Sequence, residues 1–133
     1  MLKSKMVFTI QATWWALHVI ILWILNPTTI EALITDDKAQ LMNRSLGYIS
    51  GTMSMLIAFI FYMLRNIDSS KARQILLGTG IIMVMAVGII IATNMSIVEK
   101  FPGETMMGTP PPAVGVWILL TIYTLYVALN SDK

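Results

Sequence analysis

Four long apolar stretches alternate with short polar ones along the chain. They cover residues 7–25, 46–64, 75–92 and 113–129, and none contains Asp, Glu, Lys or Arg. Each approaches the roughly 20 residues that a helix rising 1.5 Å per residue needs to cross about 30 Å of hydrocarbon. Uncharged runs of this length do not fit the one-sided core helices of a soluble protein. Strands of a membrane β-barrel would alternate in polarity and be about half as long. Lipid offers an unpaired backbone no partner, so each stretch predicts a helix. The pattern as a whole predicts an all-α, polytopic membrane protein, an antiparallel four-helix transmembrane bundle forming a single domain over residues 1–133.

The breaks carry matching signals. Asn26-Pro27 is expected to end the first helix, because proline cannot continue the hydrogen-bond ladder. The segment from Asn26 to Arg44 holds Glu31, Asp36, Asp37 and Lys38, with a short helical turn at the interface expected over Thr29 to Leu33. The break from Arg65 to Arg73 is short and polar, which makes helices two and three a hairpin. The third, Thr93 to Pro112, is the longest; it contains Pro102-Gly103 and Pro110-Pro111-Pro112, and the triple proline favours a stiff extended approach to helix four.

Charge adds orientation. Lys3, Lys5, Arg65, Lys71, Arg73 and Lys133 fall on one side of the predicted topology, and Lys38, Arg44 and Lys100 on the other. The positive-inside rule then puts both termini on the cytoplasmic side. Glu31, Asp36, Asp37, Glu99 and Glu104 all fall outside. Lys3 and Lys5 resemble the charged start of a signal peptide, but the apolar run is too long and Asn-Pro-Thr-Thr follows it in place of a small-residue cleavage site. The first span is therefore expected to be an uncleaved helix.

Composition agrees with this class and removes others. Hydrophobic residues make up 56% of the 133 and charged residues only 12%, against about 25% charged in a soluble domain. A net charge of +2 without a basic run argues against nucleic acid. The absence of cysteine excludes disulfides, thiol catalysis and thiolate metal sites.

Polar groups inside hydrocarbon are costly unless paired, so each is a candidate for function. Gln11 and His18 are seven residues apart and share one helix face, with Trp14 and Trp15 between them. His18 reads either as a packing residue bonded to a neighbouring helix or as a ligand or proton-relay residue. Counted from the outer ends of the spans, His18, Ser54 and Thr121 lie at a similar depth, roughly 10–12 Å down. Ser50, Tyr48 and Trp117 lie above them. If those faces converge, His18, Trp15, Arg44, Tyr48, Ser50, Ser54, Trp117 and Thr121 would line an outward-opening, mostly apolar pocket for a small ligand, with Arg44 at its mouth.

Gly47 and Gly51 form a small-xxx-small pair extended by Ser50 and Ser54, and helix three carries Gly78, Gly80, Gly88 and Ala92. Gly47, Gly51, Gly80 and Gly88 read as helix-packing positions, where small residues let backbones approach. The 11 methionines raise Cu(I), but Met53 and Met55, like Met83 and Met85, are two residues apart and point to different faces. Met106-Met107 has no His or Cys beside it, and core filling is the better account. Trp23, Tyr62, Tyr123 and Tyr126 suit an interfacial aromatic belt. The single histidine gives no His pair for haem or zinc. Phosphate-loop and nucleophile-elbow motifs are absent, and all seven acids lie outside the spans.

Asn26-Pro27 after helix one, the run from Arg44 through Gly47 to Gly51 opening helix two, the charged hairpin Arg65 to Arg73 and the glycine-bearing segment Gly78 to Gly88 resemble the DoxX-like small membrane proteins. The resemblance covers roughly Trp14 to Ala92. It departs in helix four, which lacks the acidic residue of some relatives and has an unusual Pro-rich approach. It implies a four-helix fold and little about activity.

Three functions fit this inventory. The first is a non-enzymatic accessory or scaffold subunit, packed against a larger membrane protein or another copy of itself within the lipid bilayer. The second is a binder or carrier of a small lipophilic molecule. The third is an intramembrane redox enzyme acting on a quinone, against which the sparse polar inventory argues. No cofactor and no metal is expected.

Overall fold

A computed structural model describes residues 2–31, 34–102 and 109–130. Every element in it is helical: α1 (Leu2–Ile20), a π-helical turn (Ile21–Leu25), α2 (Asn26–Glu31), α3 (Asp37–Leu64), α4 (Ser69–Lys100) and α5 (Pro111–Asn130). Four segments are long and apolar enough to cross a membrane: Lys3–Thr28, Asp37–Leu64, Ser69–Lys100 and Pro111–Asn130. At 1.5 Å per residue the 20 residues of α5 span about 30 Å, the thickness of a hydrocarbon core. The 28 of α3 and 32 of α4 reach about 42 Å and 48 Å.

The helices outrun their apolar stretches for identifiable reasons. Pro27 does not end the first helix. Ile20 and Asn26, on either side of the π-helical turn, both keep right-handed helical angles, and the Asn26 N–H donates to the Ile21 carbonyl, five residues back. This wider turn gives the proline ring room where an α-turn would press it against the carbonyl four residues earlier. The Thr28 hydroxyl lies 2.9 Å from the Leu25 carbonyl and 3.3 Å from that of Ile24, so it supplies a donor beside the one proline lacks. The turn anticipated at Thr29 to Leu33 is the end of α2 as far as Glu31; residues 32 and 33 lie outside the described residues.

α3 begins at Asp37, well before its apolar stretch, because the Asp36 carboxylate accepts from the Ala39 N–H at 2.7 Å and caps the helix. α4 continues to Lys100, where Pro102 follows and forbids another turn. The triple proline is not an extended approach. Pro111 and Pro112 occupy the first turn of α5, where backbone N–H groups have no intrahelical partner to lose, and Pro110 offers its carbonyl to the Ala113 and Val114 N–H groups at 2.9 Å and 3.1 Å.

The chain divides into two compact units, Met1–Val7 with Ile67–Lys133, and Phe8–Asn66. In the first, α4 buries Ala72, Leu76, Gly80 and Met83, and α5 buries Trp117, Thr121, Thr124, Val127 and Ala128. Both sets recur every three or four residues, one stripe per helix. Leu125 of α5 lies against Gly80 of α4, in the space a side chain there would fill. In the second unit, α1 buries Phe8, Gln11 and Ala12, and α3 buries Gly47, Gly51, Ser54 and Phe61. The rings of Phe8 and Phe61 pack with centroids 6.1 Å apart. The Trp23 indole lies on Gly51 and donates from Nε1 to the Tyr48 carbonyl at 3.2 Å.

Large apolar side chains crowd the exposed faces of the helices. Gln11 and Thr124 are fully buried, while Leu119 and Ile82 are more than half exposed. Between 17% and 28% of each span's apolar window is buried within the chain.

The two tight glycines differ in what confronts them. Leu125 meets Gly80 with the end of a flexible side chain, whereas Trp23 meets Gly51 with a rigid ring held by its own hydrogen bond. Gly51→Ala is therefore expected to lower stability in detergent by about 1–3 kcal/mol, more than Gly80→Ala does. Gly78 has nothing within 4 Å of an added methyl, so Gly78→Ala should leave stability unchanged or slightly raised. Thermal unfolding of the three variants tests this order.

Candidate functional site

His18 sits at the centre of a ring cluster on α1. Its imidazole meets Trp14 edge-on at 4.9 Å and tilts against Trp15 at 5.6 Å, centroid to centroid. Nδ1 lies 3.3 Å from the Trp14 carbonyl, one turn back, and donates to it when it carries the proton. His18, Trp14 and Trp15 are all half-buried. Helical spacing places these rings together, since positions i and i+4 share a face.

The two hydroxyls at similar predicted depth behave alike. Ser54 donates to the Ser50 carbonyl at 2.9 Å, and Thr121 to the Trp117 carbonyl at 2.7 Å. Each is buried, and each directs its proton one turn back along its own helix. What such hydroxyls offer a ligand is acceptor lone pairs, since the donor is already committed. Arg44 is half-buried on α3, and Tyr48 and Ser50 are exposed. Trp15, His18, Arg44, Tyr48, Ser50 and Ser54 belong to one compact unit, and Trp117 and Thr121 to the other.

Among the predicted packing glycines, Gly47 has the Asn26 amide and the Leu22 carbonyl within 3.0 Å and 3.2 Å of where its Cβ would stand. Gly51 and Gly80 are the tight positions described above. Gly88 is exposed, with nothing within 4 Å of such a Cβ.

No protein family, curated protein or solved structure matches the chain. Among the described residues no group of three or more His, Asp or Glu side chains is placed to hold a metal ion. Around His18 the described chemistry is that of two indole rings and one imidazole.

Two features escaped sequence reasoning. Trp23 is more than a belt residue: its N–H needs a partner, and the Tyr48 carbonyl, which also accepts from Thr52 at 2.9 Å, supplies one. Asn94 is the second. Its Nδ2 donates to the Thr109 carbonyl at 2.9 Å, and its Oδ1 accepts the Thr109 N–H at 2.9 Å. The amide copies the pairing of a neighbouring strand and ties the last turns of α4 to the residue two before α5. The available sequence signal was an asparagine, which offers one donor face and one acceptor face together, at the edge of a long loop. Beside it an open groove lined by Asn94, Met95, Val98 and Glu99 runs along α4.

Each bond of the Asn94 clamp should contribute about 0.5–1.5 kcal/mol. Asn94→Ala removes both and Asn94→Asp keeps the acceptor alone. Limited trypsin digestion at the exposed Lys100 should therefore be fastest in the alanine variant and intermediate in the aspartate variant. Equal rates in all three proteins would show that the clamp does not restrain this end of α4.

Proposed function

We propose that this chain is an antiparallel four-helix transmembrane bundle, with both termini on the cytoplasmic side, acting as a non-enzymatic accessory or scaffold subunit for a larger membrane protein. The reading rests on one face of α4. Gly88, Ala92 and Ser96 are all exposed and recur every four residues, and an added methyl at Gly88 would meet nothing. Met95 and Glu99, which line the open groove, continue that face toward the end of the helix. Small residues favour close approach of a second helix in lipid, where dispersion contacts replace the hydrophobic drive available in water. A lipid-facing helix with no partner has no need of them. The resemblance to DoxX-like proteins belongs to the same proposal and concerns the fold.

The test is native mass spectrometry of the tagged chain released gently from its own membrane. A stoichiometric second protein is expected, and Gly88→Leu with Ala92→Leu should displace it while leaving helical content intact. A lone chain carrying a discrete small mass would favour instead a carrier of a lipophilic molecule, held against the Trp14, Trp15 and His18 rings. His18→Ala would then abolish retention. A bare chain with only heterogeneous lipid would count against both.

A further inference from the structure

We infer that the end of the molecule carrying the amino terminus and the start of α4 is a binding surface for anionic phospholipid headgroups, built from Lys3, Lys5, Lys71 and Arg73. The inference rests on the proposed membrane placement and adds a partner of stated chemistry to it.

All four residues are exposed and belong to the same compact unit. Their arrangement repeats. Lys3 and Lys5 bracket Ser4, which is 5% exposed, and Lys71 and Arg73 bracket Ala72, which is 1% exposed. In each helix a small side chain turns into the protein and its two neighbours, about 100° away on either side, carry positive charge outward. On the proposed membrane placement these cations stand on two helices at one face of the bilayer, as a collar at the headgroup level. A collar of this kind suits several headgroups at once and suits a single bound anion poorly.

Depth fits the same partner. Lys5 stands two residues from Val7 and Arg73 two from Ile75, where the apolar stretches begin. Two residues of helix amount to about 3 Å, so the charged groups reach the headgroup layer while their stems stay in contact with hydrocarbon. Among the described residues of this end of the unit, Asp68 is the acid set against them. Juxtamembrane clusters of four or more cations attract acidic lipids through charge that zwitterionic lipids lack. Arg65 belongs to the other compact unit and is not part of this surface.

The full chain, purified in detergent and given equal amounts of phosphatidylglycerol and phosphatidylcholine of the same acyl chains, is examined by native mass spectrometry. The wild type should retain phosphatidylglycerol over phosphatidylcholine by on the order of tenfold. Replacing all four cations by glutamine should abolish the preference, and Lys3→Gln with Lys5→Gln, or Lys71→Gln with Arg73→Gln, should each reduce it. Lys38→Gln with Lys100→Gln, on the other side of the proposed topology, should leave it unchanged. The paired variants keep the test valid if the fourfold variant fails to fold, as circular dichroism would show. An absent preference in the wild type, or one that survives both paired variants, overturns the inference. A chain found in the soluble fraction without detergent would instead overturn the membrane placement itself.

Discussion

Four helices long and apolar enough to cross a membrane leave few polar side chains, and how those are paired shapes the rest of the structure. In hydrocarbon each backbone N–H and C=O must find its partner within the protein, and the helix is the local solution. The side chains follow the same rule. Thr13, Ser45, Thr52, Ser54 and Thr121 each donate to the carbonyl four residues earlier, so these five hydroxyls add no unpaired donor. Pro27 shows the rule under strain. The missing N–H is accommodated by a π-helical turn and a threonine hydroxyl, and the helix continues.

Once polar demands are met inside each helix, contact between helices depends on shape. The buried stripes are made largely of Gly, Ala, Ser and Thr, while Leu, Ile, Met and Phe crowd the exposed faces. Close approach is greatest where a glycine receives a larger neighbour, as at Gly51 under Trp23 and Gly80 against Leu125. The π-helical turn and the tryptophan act together here. Residues 21–25 contain the indole that covers Gly51, and the helix segment just beyond places Asn26 beside Gly47. One local departure from α-geometry thus accompanies both glycine contacts.

The ends of the helices divide the chemistry. At one end, cations bracket buried small residues in a repeated arrangement. Elsewhere, α3 starts on a capping aspartate, and, in the other compact unit, α4 runs past its apolar stretch to the Asn94 clamp. Between them the polar side chains are few and mostly bonded to their own helix. The proposed scaffold role turns on the exposed Gly88, Ala92 and Ser96 of α4.

The sequence by itself determined the helices: four uncharged apolar stretches of spanning length predict helices, which are the backbone arrangement lipid would allow, and four helices long and apolar enough to cross a membrane are present. It also marked Gly51 and Gly80 as positions of close approach, since glycine's lack of a side chain is a property of the residue. The helix ends were less legible. Pro27 and the triple proline read as breaks because proline's penalty is local, whereas its accommodation depends on hydrogen bonds from residues on either side. Asp36 capping was present in the sequence but obscured by the neighbouring charges. Only the tertiary structure decided that Trp23 covers Gly51, that Asn94 grips Thr109 across fourteen intervening residues, and that Gly80 is filled by a neighbour while Gly88 stands open. Small residues at helical spacing look alike in sequence, and which of them meets a partner depends on how each helix is rotated, a property no single helix contains.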